Sequence, residues 1–485
     1  MGSKASGLLV ASLVTACTVG PNYQKPAVPT PTRWQATDNQ NIVPTEDANQ
    51  LTKWWTLFDD DTLTELVARA RTQSFDVRTA AARIAAARAE RRGVAAGSGP
   101  KLQGEIGASR QENPFPGLAE GLKFSLYEIG FDAQWEIDLF GRQRRRLEAA
   151  DATLQATMDE RQAVLASLSA EVARGYWALR SLDAQLLIVD NTVHVLRETL
   201  RLTEKLVTAG VGTKHDMLRA RAAVATAAAN VPNLRAARVV AERQLELLLA
   251  LPPGELTARL HATAASDTRP TPQILLSPAA VIRSRPDIQR AERLLAAATA
   301  LKGAAIADLY PSISLGAFFG LRNTGLDSLF ATAAESWMMG GKLLAPLFDG
   351  GSRHAAVDRS DAQIDAALAD YEKTVLTALH ETEIALTRLV EEERRRAGLT
   401  LAVADLREAA HLAHRRYESG VASFLEVLDA ERELARSELD LAVSKGTIAT
   451  DTVAVFKALG GGVEIAVQTA SASGPITATT SHKLR

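Results

Sequence analysis

Four segments of the chain alternate between apolar and polar residues, which is the period-two pattern of a β-strand with one apolar face. The alternation covers residues 102–109, 131–139, 313–321 and 337–348. Turn-forming residues occupy 111–117 and 323–325, so we expect these two stretches to lie outside the sheet. The pattern predicts two strands in each half of the chain, and therefore four strands in all.

A helical period replaces the period of two in the segments that follow the strands. Each segment starts after a glycine, Gly141 or Gly351, and runs for about 65 residues with almost no Gly or Pro. Apolar and small residues recur there at spacings of three and four, in two sets that lie 210 residues apart: Val193, Leu196, Leu200, Thr203 and Val207, and Val403, Leu406, Ala410, Ala413 and Tyr417. The spacing predicts coiled-coil helices roughly 100 Å long. A return helix of about 40 residues after each would complete a helical hairpin with unequal arms.

The two halves of the chain repeat one another at a nearly constant offset. Asp76 and Pro100 are matched 211 residues later by Asp287 and Pro311. The Gly-Val pair at residues 210–211 recurs at 420–421, and Ala-Leu at 250–251 recurs at 458–459. Several ordered pairs at one offset indicate an internal duplication over most of residues 62–462.

The N-terminus has the order of features found in a bacterial lipoprotein signal peptide. Lys4 precedes a short apolar stretch, and small residues at 15 and 16 precede Cys17, the only cysteine of the chain. This order predicts cleavage before Cys17 and a diacylglycerol on its thiol, with a cysteine buried in a hydrophobic segment as the alternative. Thr18 replaces the aspartate that usually retains such lipoproteins at the inner membrane, so we expect sorting to the outer membrane.

Composition outside the repeats predicts little packed structure. Residues 18–50 are rich in Pro, Thr, Asn and Gln, as in an extended tether, and the tail from about 465 has few apolar residues. The predicted organisation is a signal peptide (1–16), a lipid-anchored extended segment (17–60), a first structural repeat (61–270), a second structural repeat (271–462) and a disordered tail (463–485).

Charge and hydropathy limit the classes of function. The 485 residues include 55 Lys+Arg and 57 Asp+Glu, and a net charge of −2 argues against nucleic acid as a partner. No uncharged apolar run of about 18 residues occurs beyond the N-terminus, which excludes an ordinary transmembrane helix there.

Four amphipathic strands cannot close a barrel in lipid, because an open sheet edge leaves backbone groups unpaired. Two chains would give eight strands and a filled lumen, whereas three would give twelve strands and a passage. The alternative is a soluble sheet on a helical stalk.

Motifs along nearly the whole chain carry a family resemblance. They lie in the order typical of the family, at residues 20–26, 54–60, 285–288, 346–351 and 420–430. The sequence resembles the TolC-like outer-membrane factors, in particular the lipoprotein branch of OprM-like and NodT-like proteins in RND-type efflux systems.

The resemblance implies a mainly α-helical protein with a membrane β-barrel, assembled as a homotrimer with a twelve-stranded barrel and a tunnel of twelve helices. The implied location is the outer membrane of a Gram-negative bacterium, where the protein is anchored by lipid and extends into the periplasm. The implied partners are a periplasmic adaptor (membrane fusion) protein, an inner-membrane transporter of the RND type and outer-membrane lipid. No cofactor is implied.

The resemblance also assigns functional residues at the periplasmic end. Glu426 and Asp429 match acidic residues that ring the aperture, while Asp216 and Tyr417 match positions in the links that close it. An ordinary solvated, charged helix face is the alternative for the two carboxylates. The hairpin turns would face the adaptor and transporter: Gly210, Val211, Gly212, Thr213, Gly420, Val421, Ala422 and Ser423. Ala422 departs from relatives that have a basic residue there, so the closing links are expected to differ.

Other patterns that could carry chemistry favour no enzyme. His411 and His414 have the i, i+3 spacing of metal ligands near Glu408, but two surface histidines are the simpler interpretation, and we predict no metal site. The chain has no Walker loop, dinucleotide fingerprint or nucleophile-base pattern. Two hypotheses follow: a passive export duct of a tripartite pump, or a lipid-anchored coiled-coil scaffold that spans the periplasm without conducting. The sequence does not determine the cargo.

Overall fold

The computed structural model describes residues 18–37, 43–45, 51–112, 123–257, 260 and 274–463. The predicted signal peptide, Cys17 and the tail beyond residue 463 lie outside the described residues. The helices, in chain order, are α1 (Asp61–Gln73), α2 (Phe75–Ala96), α3 (Arg142–Thr208), α4 (Lys214–Ala229), α5 (Val231–Leu248), α6 (Pro278–Ser284), α7 (Pro286–Ala307), α8 (Ser352–Glu418) and α9 (Phe424–Ala458). The strands are β1 (Val43–Thr45), β2 (Lys101–Glu112), β3 (Lys123–Ile137), β4 (Ile274–Leu276), β5 (Ser312–Asn323) and β6 (Glu335–Leu344).

Four of these strands form one antiparallel sheet in the order β2-β3-β5-β6. Directly paired residues share a face, and the row Phe131, Phe319 and Trp337 is apolar and exposed. The opposite face is mostly polar, with side chains that include Glu128, Asp132, Gln134, Arg322 and Lys342. The prediction of two strands in each half is confirmed for this sheet, whereas the short strands β1 and β4 were not predicted.

The predicted strand ends were wrong by a few residues. Gln111, Glu112 and Asn323 were expected in turns, but they pair within strands. Conversely, β3 ends at Ile137, before the predicted limit of 139, and β6 ends at Leu344 rather than 348. After β3 the chain turns at once into α3, because the Asp138 carboxylate accepts hydrogen bonds from the backbone N–H groups at the start of that helix. Local capping therefore overrides the alternating pattern.

The two long helices are confirmed. α3 and α8 each contain 67 residues, which corresponds to roughly 100 Å at 1.5 Å per residue. Each begins after a glycine with a left-handed backbone, Gly141 at φ 86° and Gly351 at φ 89°. Val193, Thr203 and Val403 from the predicted coiled-coil positions are buried, so the repeating register does face the neighbouring helices.

The predicted return helices of about 40 residues were wrong in length. The first return arm consists of two helices, α4 and α5, which meet at Asn230. Pro232 lies in the first turn of α5, where its missing N–H removes a hydrogen bond that an unbroken helix would need. The second return arm, α9, is one helix of 35 residues. Both arms still run back along the long helices, since α3 contacts α4 and α5, and α8 contacts α9.

An aromatic core joins the two repeats midway along the molecule. Trp54 stacks on Phe456 with ring centroids 5.3 Å apart, and Phe58 packs against Trp177 at 5.2 Å. The hydroxyl of Tyr176 donates a 2.6 Å hydrogen bond to Asp60, whose other oxygen caps α1. The short strands β1 and β4 form a parallel pair beside this core. Among the described residues, no helix combines the length and apolar character needed to cross a bilayer.

Candidate functional site

Two matching turns form the end of the helical body farthest from the sheet. At the end of α3 the N–H of Val211 bonds to the carbonyl of Leu206, and the N–H of Gly210 bonds to that of Val207. The end of α8 repeats this arrangement at Val421 and Gly420, whose partners are the carbonyls of Arg416 and Tyr417. Both are Schellman motifs, in which a glycine with positive φ ends the helix. The repeated sequence thus produces a repeated geometry at the tip.

The residues after each turn cap the return helix. The Thr213 side chain accepts a hydrogen bond from the backbone N–H of Asp216 and donates a 2.6 Å bond to its carboxylate. Ser423 and Glu426 form a reciprocal capping box at the start of α9. Asp216 and Glu426 therefore lie near helix N-termini, where the positive end of the helix dipole favours a carboxylate.

Tyr417, which was predicted to help close the aperture, makes several contacts within the chain. Its ring packs against Phe424 at 5.9 Å, beside an apolar cluster that joins both hairpins. Burial raises the pKa of its hydroxyl, and the nearby charge of Asp216 raises it further, whereas a hydrogen bond with Thr203 lowers it. The structure thus brings Tyr417 near Asp216, across the two hairpins.

Glu426 and Asp429 have different surroundings from Tyr417. They are three residues apart on α9 and both are exposed on the single chain. Glu426 bonds to the backbone of Ser423, so it has a capping role as well as a charge. The structure does not bring either carboxylate against Tyr417 or Asp216.

A contact that the sequence analysis missed lies deeper in the second hairpin. His414 Nε2 lies 2.6 Å from Glu431 Oε1, and the Thr199 hydroxyl donates a 3.0 Å hydrogen bond to the same oxygen. The sequence pattern groups His414 only with His411 and Glu408, as possible metal ligands. The duplication could have indicated this contact. Glu204 and Arg221, which lie 210 residues before His414 and Glu431, form an ion pair.

At the opposite end of the helical body, the N-terminal segment is fastened where the sheet meets the helices. Val19 donates its N–H to the carbonyl of Phe140, 3.1 Å away. The buried Arg145 guanidinium donates to the carbonyls of Val19 and Gly20 and to the side chain of Asn22. The segment predicted to be an extended tether is therefore docked on the body, with residue 18 beside Gly141.

Further contacts hold the same segment against the second repeat. Lys25 pairs with Glu292 at 2.5 Å, and the Arg293 guanidinium lies 5.6 Å from the centre of the Tyr23 ring. Trp34 donates from its indole nitrogen to the carbonyl of Leu276 at 2.8 Å. Residues 18–34 thus pack along the helical body, from the boundary with the sheet to the aromatic core.

Aromatic side chains mark the boundary between the sheet and the helices. Phe140 and Tyr310 stack at 4.7 Å, and Trp135 donates its indole N–H to the carbonyl of Ser98 at the end of α2. Phe348, just beyond β6, is almost fully exposed. An apolar sheet face with aromatic residues at one rim is the pattern of a membrane β-barrel.

Comparison with known proteins identifies the class. The family model described as outer membrane efflux protein matches residues 66–251 and 278–461. The chain is 32% identical over 463 residues to the toluene efflux pump outer membrane protein TtgC of Pseudomonas putida, covering 94% of each chain. It is 29% identical over 458 residues to the cation efflux system protein CusC of Escherichia coli, covering 93% of this chain and 97% of the relative. The solved outer-membrane channel OprN superposes with a TM-score of 0.86 at 36% identity, covering 92% of this chain and 99% of that structure.

The chain belongs to the outer membrane efflux protein family, which confirms the resemblance seen in the sequence. It is an outer-membrane efflux channel, located in the outer membrane of a Gram-negative bacterium and extending into the periplasm. Its fold class is a trimer in which four strands per chain complete a β-barrel and the helices form a tunnel.

Proposed function

We propose that this chain is the exit duct of a tripartite efflux pump. It passively conducts drugs or other small molecules that a periplasmic adaptor and an RND-type inner-membrane transporter deliver. The observation that supports this role most strongly is the direct connection of an apolar-faced four-stranded sheet to two helices of 67 residues. The duct itself supplies no energy, so the transporter selects the cargo, which in relatives is named as cations in one case and toluene in another.

The proposed lipid anchor is a diacylglycerol on Cys17. Its support is positional, because residues 18 and 19 contact Gly141 and Phe140 at the boundary between sheet and helices. That boundary is where the inner leaflet of the outer membrane would end, so an acyl chain on the preceding residue would reach lipid directly. Cys17→Ser is expected to remove acyl mass from the mature N-terminus, as measured by mass spectrometry. A wild-type N-terminus without acyl mass would rule out the anchor.

The proposed aperture lies at the hairpin tips. Three-fold symmetry would turn each exposed carboxylate of Glu426 and Asp429 into a ring, giving six negative charges at one constriction. Like charges at close range favour bound cations, and their field is stronger where water is partly excluded. Asp216 and Tyr417 would link the hairpins, and the turns at 210–213 and 420–423 would dock the adaptor and transporter.

Ion selectivity in planar bilayers tests the aperture. Glu426→Gln combined with Asp429→Asn keeps side-chain size and removes the charge, so cation preference and block by multivalent cations are expected to weaken. Glu381 and Glu383 in the middle of α8 also lie away from the tip, but they are unsuitable as controls. Glu381 forms an ion pair with Arg285, and Glu383 accepts a hydrogen bond from the backbone N–H of Ala36. Asp365→Asn combined with Glu372→Gln, two exposed positions of α8 far from the tip, is the matched control. Unchanged selectivity in the tip variant would instead support a solvated helix face.

A further inference from the structure

A buried carboxylate joins three helices just inside the proposed aperture. Glu431 of α9 is only 7% exposed, and its Oε1 atom receives both His414 of α8 and the hydroxyl of Thr199 of α3. The other oxygen, Oε2, is buried and has no hydrogen-bond partner within the described part of the chain. A buried carboxylate with one unpaired oxygen depends strongly on its remaining partners, because burial penalises an uncompensated charge.

The duplication provides an internal comparison. The residues 210 positions before His414 and Glu431 are Glu204 and Arg221, and their charged atoms lie 3.6 Å apart. Both hairpins therefore tie the long helix to the return helix at equivalent positions, but with opposite polarity. The first pair is about half exposed and uses arginine, which stays charged at all relevant pH values. In the second pair Glu431 is buried, and its partner is a histidine, which can lose its charge as the pH rises.

We propose that His414, Glu431 and Thr199 form a proton-dependent clasp, which holds the second hairpin against α3 and loosens when His414 loses its proton. With a protonated imidazole the contact is an ion pair inside a partly buried site. With a neutral imidazole it is a neutral-to-charged hydrogen bond, and Glu431 lacks a compensating positive charge. The inference deepens the proposed duct function, since it concerns how firmly the end of the tunnel is held.

The electrostatic surroundings determine the direction of the response. The hydrogen bond with Glu431 raises the pKa of His414, the charges of Glu431 and Glu418 raise it further, and burial opposes them. A base whose pKa is raised in the folded arrangement stabilises it fully below the ordinary value of 6.5. That stabilisation is lost as pH rises through the raised value. The clasp is therefore strongest at acidic to neutral pH and weakest in alkaline medium.

Several other ionisable groups lie around the clasp. Helix α3 presents Thr199 and Thr203 here, with Glu204 paired to Arg221 of α4. Asp216 of α4 and Glu418 of α8 are the nearby carboxylates. The pKa of Tyr417 is raised above its usual 10, so its hydroxyl stays protonated there. His411 and His215 are exposed and do not contact Glu431.

Two measurements on the detergent-solubilised full-length protein test the clasp. Histidine C2 hydrogen-deuterium exchange measured by mass spectrometry gives the pKa of His414 in the unmodified protein. Amide exchange, corrected for intrinsic rates, reports opening of α8 and α9 near the tip. We expect opening to be about threefold or more greater near pH 9 than near pH 6, below the limit of about tenfold per pH unit for each linked proton. The amide measurement does not require conduction, so it separates failure of the clasp from failure of the duct.

Variants make the assignment specific to His414. His414→Gln keeps a hydrogen-bond donor but cannot titrate, so its opening is expected to be high and independent of pH. His414→Arg stays charged and is expected to open as little near pH 9 as near pH 6. His411→Gln, one turn away, is the matched control and should respond to pH as wild type does. A His414 pKa at or below 6.5, or a pH response that persists in His414→Gln, would overturn the proposal.

Discussion

Removal of the Arg145 side chain should release the N-terminal segment from the body. Arg145 is 3% exposed and donates three hydrogen bonds to that segment, at 3.2 Å to Val19, 3.1 Å to Gly20 and 2.9 Å to Asn22. Hydrogen bonds from a charged donor contribute about 1.5–3 kcal/mol each and are not additive, so Arg145→Ala should cost about 3 kcal/mol locally. At 1.4 kcal/mol per factor of ten, this corresponds to roughly 100-fold faster opening.

Amide hydrogen exchange of peptides that cover residues 18–23 measures this release. Arg144→Ala is the matched control, because the adjacent Arg144 is exposed and its guanidinium binds the local turn at Asp138 and Leu139. Exchange in the control should change little, since exposed ion pairs contribute about 0–1 kcal/mol. Arg145→Lys should be intermediate, because one ammonium group cannot reach all three acceptors in the same geometry. Wild-type protection at residues 18–23 in Arg145→Ala would refute the docking argument.

Three further substitutions probe a partly buried carboxylate and the geometry of a turn. Burial raises the pKa of Asp159 from 3.8 to about 6; the charge of Arg293 lowers this pKa and the charge of Glu292 raises it. The ionised carboxylate above about pH 6 therefore disfavours the folded state. Asp159→Asn should therefore raise Tm near pH 7.5 and remove the fall in stability between about pH 4 and 6, as measured by thermal unfolding. Gly420→Ala should cost about 1 kcal/mol through its left-handed backbone at φ 76°, whereas Gly398→Ala inside α8 should stabilise by about 0.5–1 kcal/mol. Equal effects of the two glycine substitutions on Tm would contradict the Schellman assignment.

The architecture was predictable because each main element has its own local spacing of apolar residues. Alternation at residues 313–321 reflects one apolar face of a strand, and the three-four spacing from Val193 to Val207 reflects one buried face of a helix; both predicted the correct element. The duplication then supplied the second copy of the sheet strands and of the long helix. The boundaries were less predictable, because they depend on single contacts such as the capping of α3 by Asp138 and the break at Pro232.

The candidate site was predictable only where the sequence motif is local. The turns at Gly210 and Gly420 follow from a glycine placed after a long periodic helix. The clasp did not follow, because Thr199, His414 and Glu431 come from three helices and meet only after both hairpins have packed together. The docking of residues 18–34 was missed for a related reason. A segment rich in Pro, Thr, Asn and Gln has no periodic apolar face, and its contacts are side chains supplied by the body, such as Arg145 and Glu292.

Single-channel recording from the detergent-purified protein in planar bilayers tests the central claim most directly. The main sheet of each chain has four strands, so closure of the barrel requires other copies, and three copies give the twelve-stranded channel. We expect a detergent-stable trimer by light scattering and discrete conductance steps from the same fraction. A soluble monomer, or a trimer that inserts without conductance under any ionic condition, would contradict the duct and favour a non-conducting scaffold.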